Sequence, residues 1–369
     1  MGSDIVLYIV VATALAFDFT NGFHDTANAI ATSISTRAMS PRAAVAMAAV
    51  LNFVGAFVSL EVAATVAKGI VSADAITPTI VFGGLIGAIA WNLATWWLGL
   101  PSSSSHALIG GMVGSAFVAE GPDAILGDGI LEKVVIPALI APTLAFAVAG
   151  ISILVAYRVV GRQRPGVVNR GYRLGQLVTG SLFSLAHGTN DAQKTMGIIT
   201  LALIANGNLS ATDFHVPTWV VVSSATAISL GTYSGGWRII RTMGSRIIKM
   251  DPAQGFSAQG AGSAVVLTAS HLGFPLSTTH VISGGIMGAG AAKRLSAVRW
   301  GVAGNIVIAW VLTLPCAAVI GGLAYGLTSL FGDQALGVVV VLLMVVGLIA
   351  AAFGSRVRRG PAITAAAEA

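Results

Sequence analysis

Charge is scarce in this chain of 369 residues: Asp, Glu, Lys and Arg together make up 9%, against 55% hydrophobic residues. Combined with a mean hydropathy of +0.86, this excludes a soluble globular protein, whose surface needs far more charge. Cysteine is almost absent. The single Cys316 excludes an intrachain disulfide, and its apolar surroundings in the sequence predict an inert buried thiol. No His-x-Glu, Cys-x-x-Cys or Walker-type segment occurs, so metal hydrolases and ATPases have no foothold. A membrane enzyme would also want an activated nucleophile or paired metals, and neither is visible. The first apolar run, from Ile5, lacks both a positive leader and a small-residue cleavage pattern, and reads as a retained helix.

What the chain has instead is long apolar runs. They lie at 5–33, 43–67, 79–99, 101–118, 134–157, 174–205, 217–236, 255–272, 274–291, 300–327 and 335–354. Many approach the roughly 20 residues that a helix needs to cross a bilayer. They do not alternate as the roughly 10-residue strands of a barrel would. The formal charge of +6 invites a nucleic-acid partner, but topology explains the basic residues better. Of the 20, 17 fall at 37 and 42, 158–173, 238–249, 293–299 and 356–359, whereas the connections between carry Asp4, Asp74, Glu120, Asp123, Asp128, Glu132, Asp213 and Asp333. The positive-inside rule then puts the N-terminus outside and the C-terminus inside. Eleven crossings satisfy this parity, and so do fewer if the hairpins at Pro101 and Pro275 are re-entrant.

Two polar islands interrupt the apolar runs: Asn21-Gly22-Phe23-His24-Asp25-Thr26-Ala27-Asn28 and His187-Gly188-Thr189-Asn190-Asp191-Ala192-Gln193-Lys194. A second pair of motifs matches as well. Pro101-Ser102-Ser103-Ser104-Ser105-His106, followed by Gly110-Gly111, parallels Pro275-Leu276-Ser277-Thr278-Thr279-His280, followed by Gly284-Gly285. The first half starts outside and the second inside, so the expected fold is an all-α polytopic membrane protein with an inverted-topology repeat, interrupted helices and helical hairpins. Repeat 1 spans 1–157, a basic cytoplasmic linker 158–173, repeat 2 174–330, and an additional C-terminal helix and tail 331–369. Secondary transporters are often built this way, with the substrate held near the midplane where the repeats meet.

An ionised carboxylate in hydrocarbon costs at least a few kcal/mol, so Asp25 and Asp191 need compensation. They are expected to face each other and hold a cation or proton, helped by the oxygens of Asn28, Asn190 and Gln193. An alternative is a structural pair between Asp191 and Lys194, three residues on. Pro101 and Pro275 fit the first turn of a helix, which would leave Ser103, Ser104, Ser105, Ser277, Thr278 and Thr279 at two N-termini able to hold a tetrahedral anion. The competing reading is that these hydroxyls only cap their helices. His106 and His280 are candidates for anion contact or proton transfer, the competing reading being that they cap or pack at a polar helix junction. His24 and His187 are candidates for proton or anion contact too, with orientation of the neighbouring Asp favoured over direct ligation. Asp18 belongs either to the cation path or to an outer vestibule.

The islands and the Pro-Ser-Ser-Ser-Ser-His and Pro-Leu-Ser-Thr-Thr-His segments resemble the repeated motifs of the PiT family of inorganic phosphate transporters. That family's common island is Gly-Ala-Asn-Asp-x-Ala-Asn. His24 departs from it in a manner similar to the bacterial low-affinity branch. The resemblance implies import of orthophosphate, free or as a divalent-metal complex, by cation symport across the cell inner (plasma) membrane. It implies a homodimer in the lipid bilayer and no nucleic-acid partner. No cofactor and no dedicated metal site are expected; the coupling ion is H+ or Na+, with H+ favoured by His24 and Na+ accommodated at Asp25 and Asp191. The rival readings are a sulfate or other oxyanion permease of the same fold, and an anion channel.

Overall fold

The computed structural model describes residues 2–72, 75–210, 214–331 and 335–358. Asp74, Asp213, Asp333, Arg359 and the tail beyond lie outside the described residues. Every named element is helical. In chain order they are α1 (Gly2–Ser35), α2 (Pro41–Gly55), α3 (Glu61–Lys68), α4 (Pro78–Leu98), α5 (Ser104–Glu120), α6 (Gly127–Ile130), α7 (Ile136–Val160), α8 (Pro165–Ala205), α9 (Thr218–Ser234), α10 (Trp237–Arg241), α11 (Pro252–His271), α12 (Thr278–Lys293), α13 (Trp300–Leu330) and α14 (Ala335–Arg358).

Local chemistry sets many of the boundaries. Proline opens α2, α4, α8 and α11, where a missing N–H costs nothing. Ser40, Thr77 and Asp251 cap three of these with their side chains, and Asp251 forms a reciprocal capping box with Gln254. Helices α4 and α11 stop just before Gly99 (φ 68°) and Gly273 (φ 76°), left-handed positions that glycine adopts without strain. These two glycines turn the chain into the hairpins α4–α5 and α11–α12.

The apolar runs and the helices do not map one to one. Among the described residues, four helical stretches are long and apolar enough to span a membrane: Asp4–Ser35, Pro78–Leu98, Gly127–Val160 and Trp300–Leu330. The 43–67 run divides into α2 and α3. Helices α5 and α12 have 17 and 16 residues, or about 25 Å at 1.5 Å per residue, short of a full crossing. The polar islands do not break their helices: α1 and α8 run through them, and the breaks fall at 56–60 and at the hairpin tips. The basic segment 158–173 is helical on both sides of a turn at 161–164. Cys316, expected buried, is half-buried on α13.

The packing pairs up in an orderly way. Helix α1 packs on α9 and α8 on α2; α5 packs on α13 and α12 on α7; α1 packs on α4 and α8 on α11. At the first pair, glycine lets backbones touch. A Cβ at Gly22 would strike the Ile228 carbonyl of α9, and one at Gly188 the Asn52 carbonyl of α2, the small-residue contact that draws membrane helices together.

Helices α1 and α8 run antiparallel, because Thr36, just past the end of α1, donates from Oγ1 to Gln176 Oε1 near the start of α8 at 2.9 Å. The hairpins enter from opposite ends of this pair. The base of α4–α5 is tied where Ser72 N donates to Ala124 O (2.9 Å), beside the last turns of α8, where Ile70 and Leu108 approach Leu201. The base of α11–α12 lies at the start of α8, where Gln176 Nε2 donates to Pro252 O (2.9 Å) and Lys293 pairs with Asp251 (3.2 Å). Their tips meet, with Ser105 Oγ donating to Leu276 O at 3.1 Å.

Candidate functional site

The two islands and the two hairpin tips converge in one closed region. Asp25, Asn28, Asn190, Asp191, Gln193, Lys194 and the hydroxyls of 103–105 and 277–279 are all at most 6% exposed. Ligand atoms of Asp25, His187 and Asp191 lie within 4.8 Å of one another, so the two carboxylates face each other between α1 and α8. Unmet charge in such a place is costly, and the surrounding donors answer it.

Asp25 accepts from His24 Nδ1 at 2.7 Å, from Thr279 Oγ1 at 3.3 Å and from Ser104 Oγ. Asp191 is held by Lys194 Nζ and by Thr278 Oγ1 (3.0 Å), with His187 Nε2 at 2.9 Å. Ser104 on Asp25 and Thr278 on Asp191 occupy matching places in the repeated motif. His24 and His187 therefore lie where orientation of the neighbouring Asp requires them. His24 Nε2 is steadied by Thr95 Oγ1 (3.1 Å) and Ser102 Oγ (3.3 Å), and His187 Nδ1 by Asn52 Oδ1 (3.1 Å).

Asn28 and Lys194 each reach the opposite hairpin. Asn28 Nδ2 donates to Thr278 Oγ1 (3.2 Å) and Thr279 Oγ1 (2.9 Å), leaving its Oδ1 without a partner among the described residues. Lys194 Nζ donates to Ser105 Oγ (2.5 Å), Leu276 O (2.8 Å) and Asp191. The local Asp191–Lys194 pair thus exists, and it sits inside the same cluster as the hydroxyl runs. Asn190 lies one position to the side, where its Nδ2 donates to Ser270 Oγ (2.8 Å) and Phe274 O (3.1 Å) and so ties α8 to the second hairpin.

Several sequence expectations need correction. Gln193 is not a donor to the carboxylate cluster: its Oε1 accepts from the backbone N–H groups of Val62 (2.8 Å) and Ala63 (3.2 Å), capping α3, and its Nε2 donates to Thr189 O (2.5 Å). Two residues on, helical spacing turns it to nearly the opposite face, about 160° from Asp191. Pro101 and Pro275 are not in the first turns of α5 and α12 but in the extended segments before them. Ser103 and Ser277 are the N-caps, accepting from His106 N (3.1 Å) and His280 N (3.3 Å), so the capping alternative holds for these two. Ser104, Ser105, Thr278 and Thr279 point into the cluster. His106 and His280 meet each other, ring centroids 4.7 Å apart, and His280 stacks on Trp310 at 4.1 Å. Asp18 does not line a vestibule, since it is fully buried.

Thr95, Ser102, Asn52, Ser270 and Asn21, whose Oδ1 accepts from Ser104 Oγ at 2.8 Å, complete the polar shell. Asn21 and Ser102 lie within the motifs quoted above, whereas Asn52, Thr95 and Ser270 are polar residues in apolar runs, a signal too common in membrane helices to single them out. Chemically, the cluster offers facing carboxylates, one fixed ammonium and four hydroxyls at the tips of two hairpins. A cation or proton fits the carboxylates; an oxyanion fits the hydroxyls and the N-terminal ends of α5 and α12.

Comparison with known proteins identifies the family. The model of the phosphate transporter family matches residues 21–170 and 161–321. A protein of Mycobacterium tuberculosis (strain H37Rv) named probable low-affinity inorganic phosphate transporter is 50% identical over 356 residues, covering 96% of this chain and 85% of that protein. One of the same name from Bacillus subtilis (strain 168) is 47% identical, covering 87% and 96%. A solved structure titled as the sodium-dependent phosphate transporter superposes with a TM-score of 0.75 at 26% identity, over 88% of this chain and 99% of that one. Carrying the family's sequence in both halves and its fold throughout, the chain belongs to the phosphate transporter family, whose members are membrane transport proteins rather than enzymes.

Proposed function

We propose that the protein imports inorganic phosphate by cation symport, with H+ favoured over Na+, through alternating access of two inverted repeats. The observation that carries this reading is the convergence of Asp25, Asp191 and the hydroxyls of Ser104, Ser105, Thr278 and Thr279 at two touching hairpin tips. The inverted relation is supported by the antiparallel α1–α8 pair and by hairpins that enter from opposite ends. Inner-membrane placement with the N-terminus outside is supported by the gathering of basic residues at the end where α1 stops and α8 starts, beside Thr36, Tyr157, Gln176 and Asp251.

Electrostatics sets the order of events. A phosphate dianion among ionised Asp25 and Asp191 meets repulsion of about 4 kcal/mol per unit-charge pair at 4 Å and an effective dielectric near 20. Lys194 cancels one of these charges from within. A proton or cation on the Asp25 side removes another, after which the hydroxyls can turn from the carboxylates to the anion. Only the loaded or the empty carrier then rocks between its open states. Proton coupling is favoured because Lys194 stands where the first island has the oxygen-bearing Asn28, so a fixed ammonium fills the place of a sodium ligand. Dimerisation belongs to the same proposal, and light scattering of the detergent-solubilised protein tests it.

The transport test is radiolabelled phosphate uptake into proteoliposomes under a proton gradient, a sodium gradient or neither, with sulfate and divalent metal as competitors. Accumulation driven by protons and resistant to sulfate is expected. Sodium-driven uptake would make Asp25 and Asp191 sodium ligands, sulfate competition would make the protein a broader oxyanion permease, and flux without accumulation would make it a channel.

A further inference from the structure

Asp18 is the one carboxyl in this region that the transport cycle above leaves unused. It lies seven residues before Asp25 on α1, on the same helix face and about 10 Å away along the axis. It is fully buried, with no close hydrogen bond to either carboxyl oxygen and the Thr195 hydroxyl as the one donor near it. The contrast with its neighbours is sharp, because Asp25 and Asp191 each have three polar partners.

The groups facing Asp18 come from α8: the Thr195 hydroxyl, which is placed to donate to it, and the charged Asp191 and Lys194. On its own helix, His24 and Asp25 follow toward the cluster. Helices α4 and α9, both packed on α1, carry no acidic or basic residue; α5 brings His106 inside, with Glu120 exposed at its far end. Lys194 cannot serve Asp18 as a bonded partner, since Asp191, Ser105 and Leu276 already take the three N–H groups of the ammonium. A buried carboxylate is costly and a neutral carboxylic acid far less so, while the nearby Lys194 ammonium and Thr195 hydroxyl lessen the cost of the charged form.

We propose that Asp18 carries the coupling proton: it takes H+ from outside, crosses in the loaded carrier as a neutral acid, releases H+ inside, and returns in the empty carrier as a carboxylate with the Lys194 ammonium as its nearest counter-charge. This rests on the proton-coupled phosphate reading. It divides the work between three carboxyls, with Asp191 neutralised by Lys194, Asp25 holding the substrate hydroxyls and Asp18 exchanging the proton.

The test uses the full chain in proteoliposomes, measuring phosphate counterflow without any gradient, phosphate accumulation under a proton gradient, and proton entry with an internal pH dye. Asp18→Asn is expected to keep counterflow and to lose both proton-driven accumulation and phosphate-dependent proton entry. Asp18→Glu, which retains an acid, is expected to keep both with a displaced pH profile. Accumulation at the parental level in Asp18→Asn would overturn the proposal, and so would loss of counterflow in a variant of unchanged melting temperature, or a Glu variant that behaves like the Asn one. A parent protein that shows no counterflow removes the phosphate reading itself, and one driven by sodium alone leaves phosphate transport standing while overturning the role of Asp18.

Discussion

Asn28 and Lys194 hold the same place in the two islands, and each crosses to the hairpin of the other half, Asn28 to Thr278 and Thr279 and Lys194 to Ser105, while Lys194 also bonds Leu276 O in the hairpin of its own half. The exchange ties the two hairpin tips to the two long helices at one point. It also makes the site asymmetric, since one copy contributes an amide and the other an ammonium.

That asymmetry predicts the behaviour of Lys194→Asn. Removing the ammonium leaves Asp191 without its fixed counter-charge and adds an amide oxygen. Phosphate uptake in proteoliposomes is expected to become stimulated by external sodium, which leaves the parent unaffected. Uptake indifferent to sodium in the variant would show that Lys194 does not stand in for a bound cation.

Breaking a buried pair from one side strands the other charge, at about 3–5 kcal/mol. Asp191→Asn is therefore expected to lower stability as well as abolish uptake. Asp25→Asn, whose partners are neutral hydroxyls and an imidazole, is expected to abolish uptake with a smaller loss. The double variant Asp191→Asn/Lys194→Asn should regain most of the stability, and a double-mutant cycle on thermal melting measures the coupling.

Gly22→Ala and Gly188→Ala set two effects against each other. Alanine gains up to about 1 kcal/mol of helix propensity, but its Cβ would press on the backbone carbonyls of Ile228 and Asn52, which cannot swing away as side chains do. Overpacking of about 1–3 kcal/mol is expected to win. Both variants should melt at lower temperature, whereas Gly166→Ala, with open space around it, should not.

Gln193→Met keeps the side-chain volume and removes the cap on α3. Two backbone N–H groups lose their acceptor, at about 1–3 kcal/mol. Melting temperature is expected to fall while the coupling ion and its stoichiometry stay as in the parent. A change of coupling ion would return Gln193 to the carboxylate cluster.

Much of the site was legible because the sequence is so apolar. Asp25 and Asp191 stand out in runs that otherwise exclude charge, and the repeated Pro-Ser and Pro-Leu-Ser-Thr segments are conspicuous as a pair. Spacing was less reliable as a guide to partners. It correctly suggested Lys194 for Asp191, a contact within one helical turn. It misdirected Gln193, whose partners Val62 and Ala63 are more than 120 residues away, and it offered no route to Asn52, Thr95 or Ser270.

The sequence by itself determined that the chain enters a membrane as helices, that it contains two related halves, and that each half carries one carboxylate island and one hydroxyl run. Composition and repetition are properties of the linear chain, so no partner is needed to read them. Only the tertiary structure decided that Ser103 and Ser277 cap while Ser104 and Thr278 bind carboxylates, that His106 and His280 face each other, and that Asp18 is buried beside Thr195 of α8. Those outcomes depend on the rotation of each helix about its axis and on the antiparallel register of α1 against α8. Both are set by packing between residues far apart in the chain, where close glycine contacts fix the distance and the demand to satisfy buried polar groups fixes the angle.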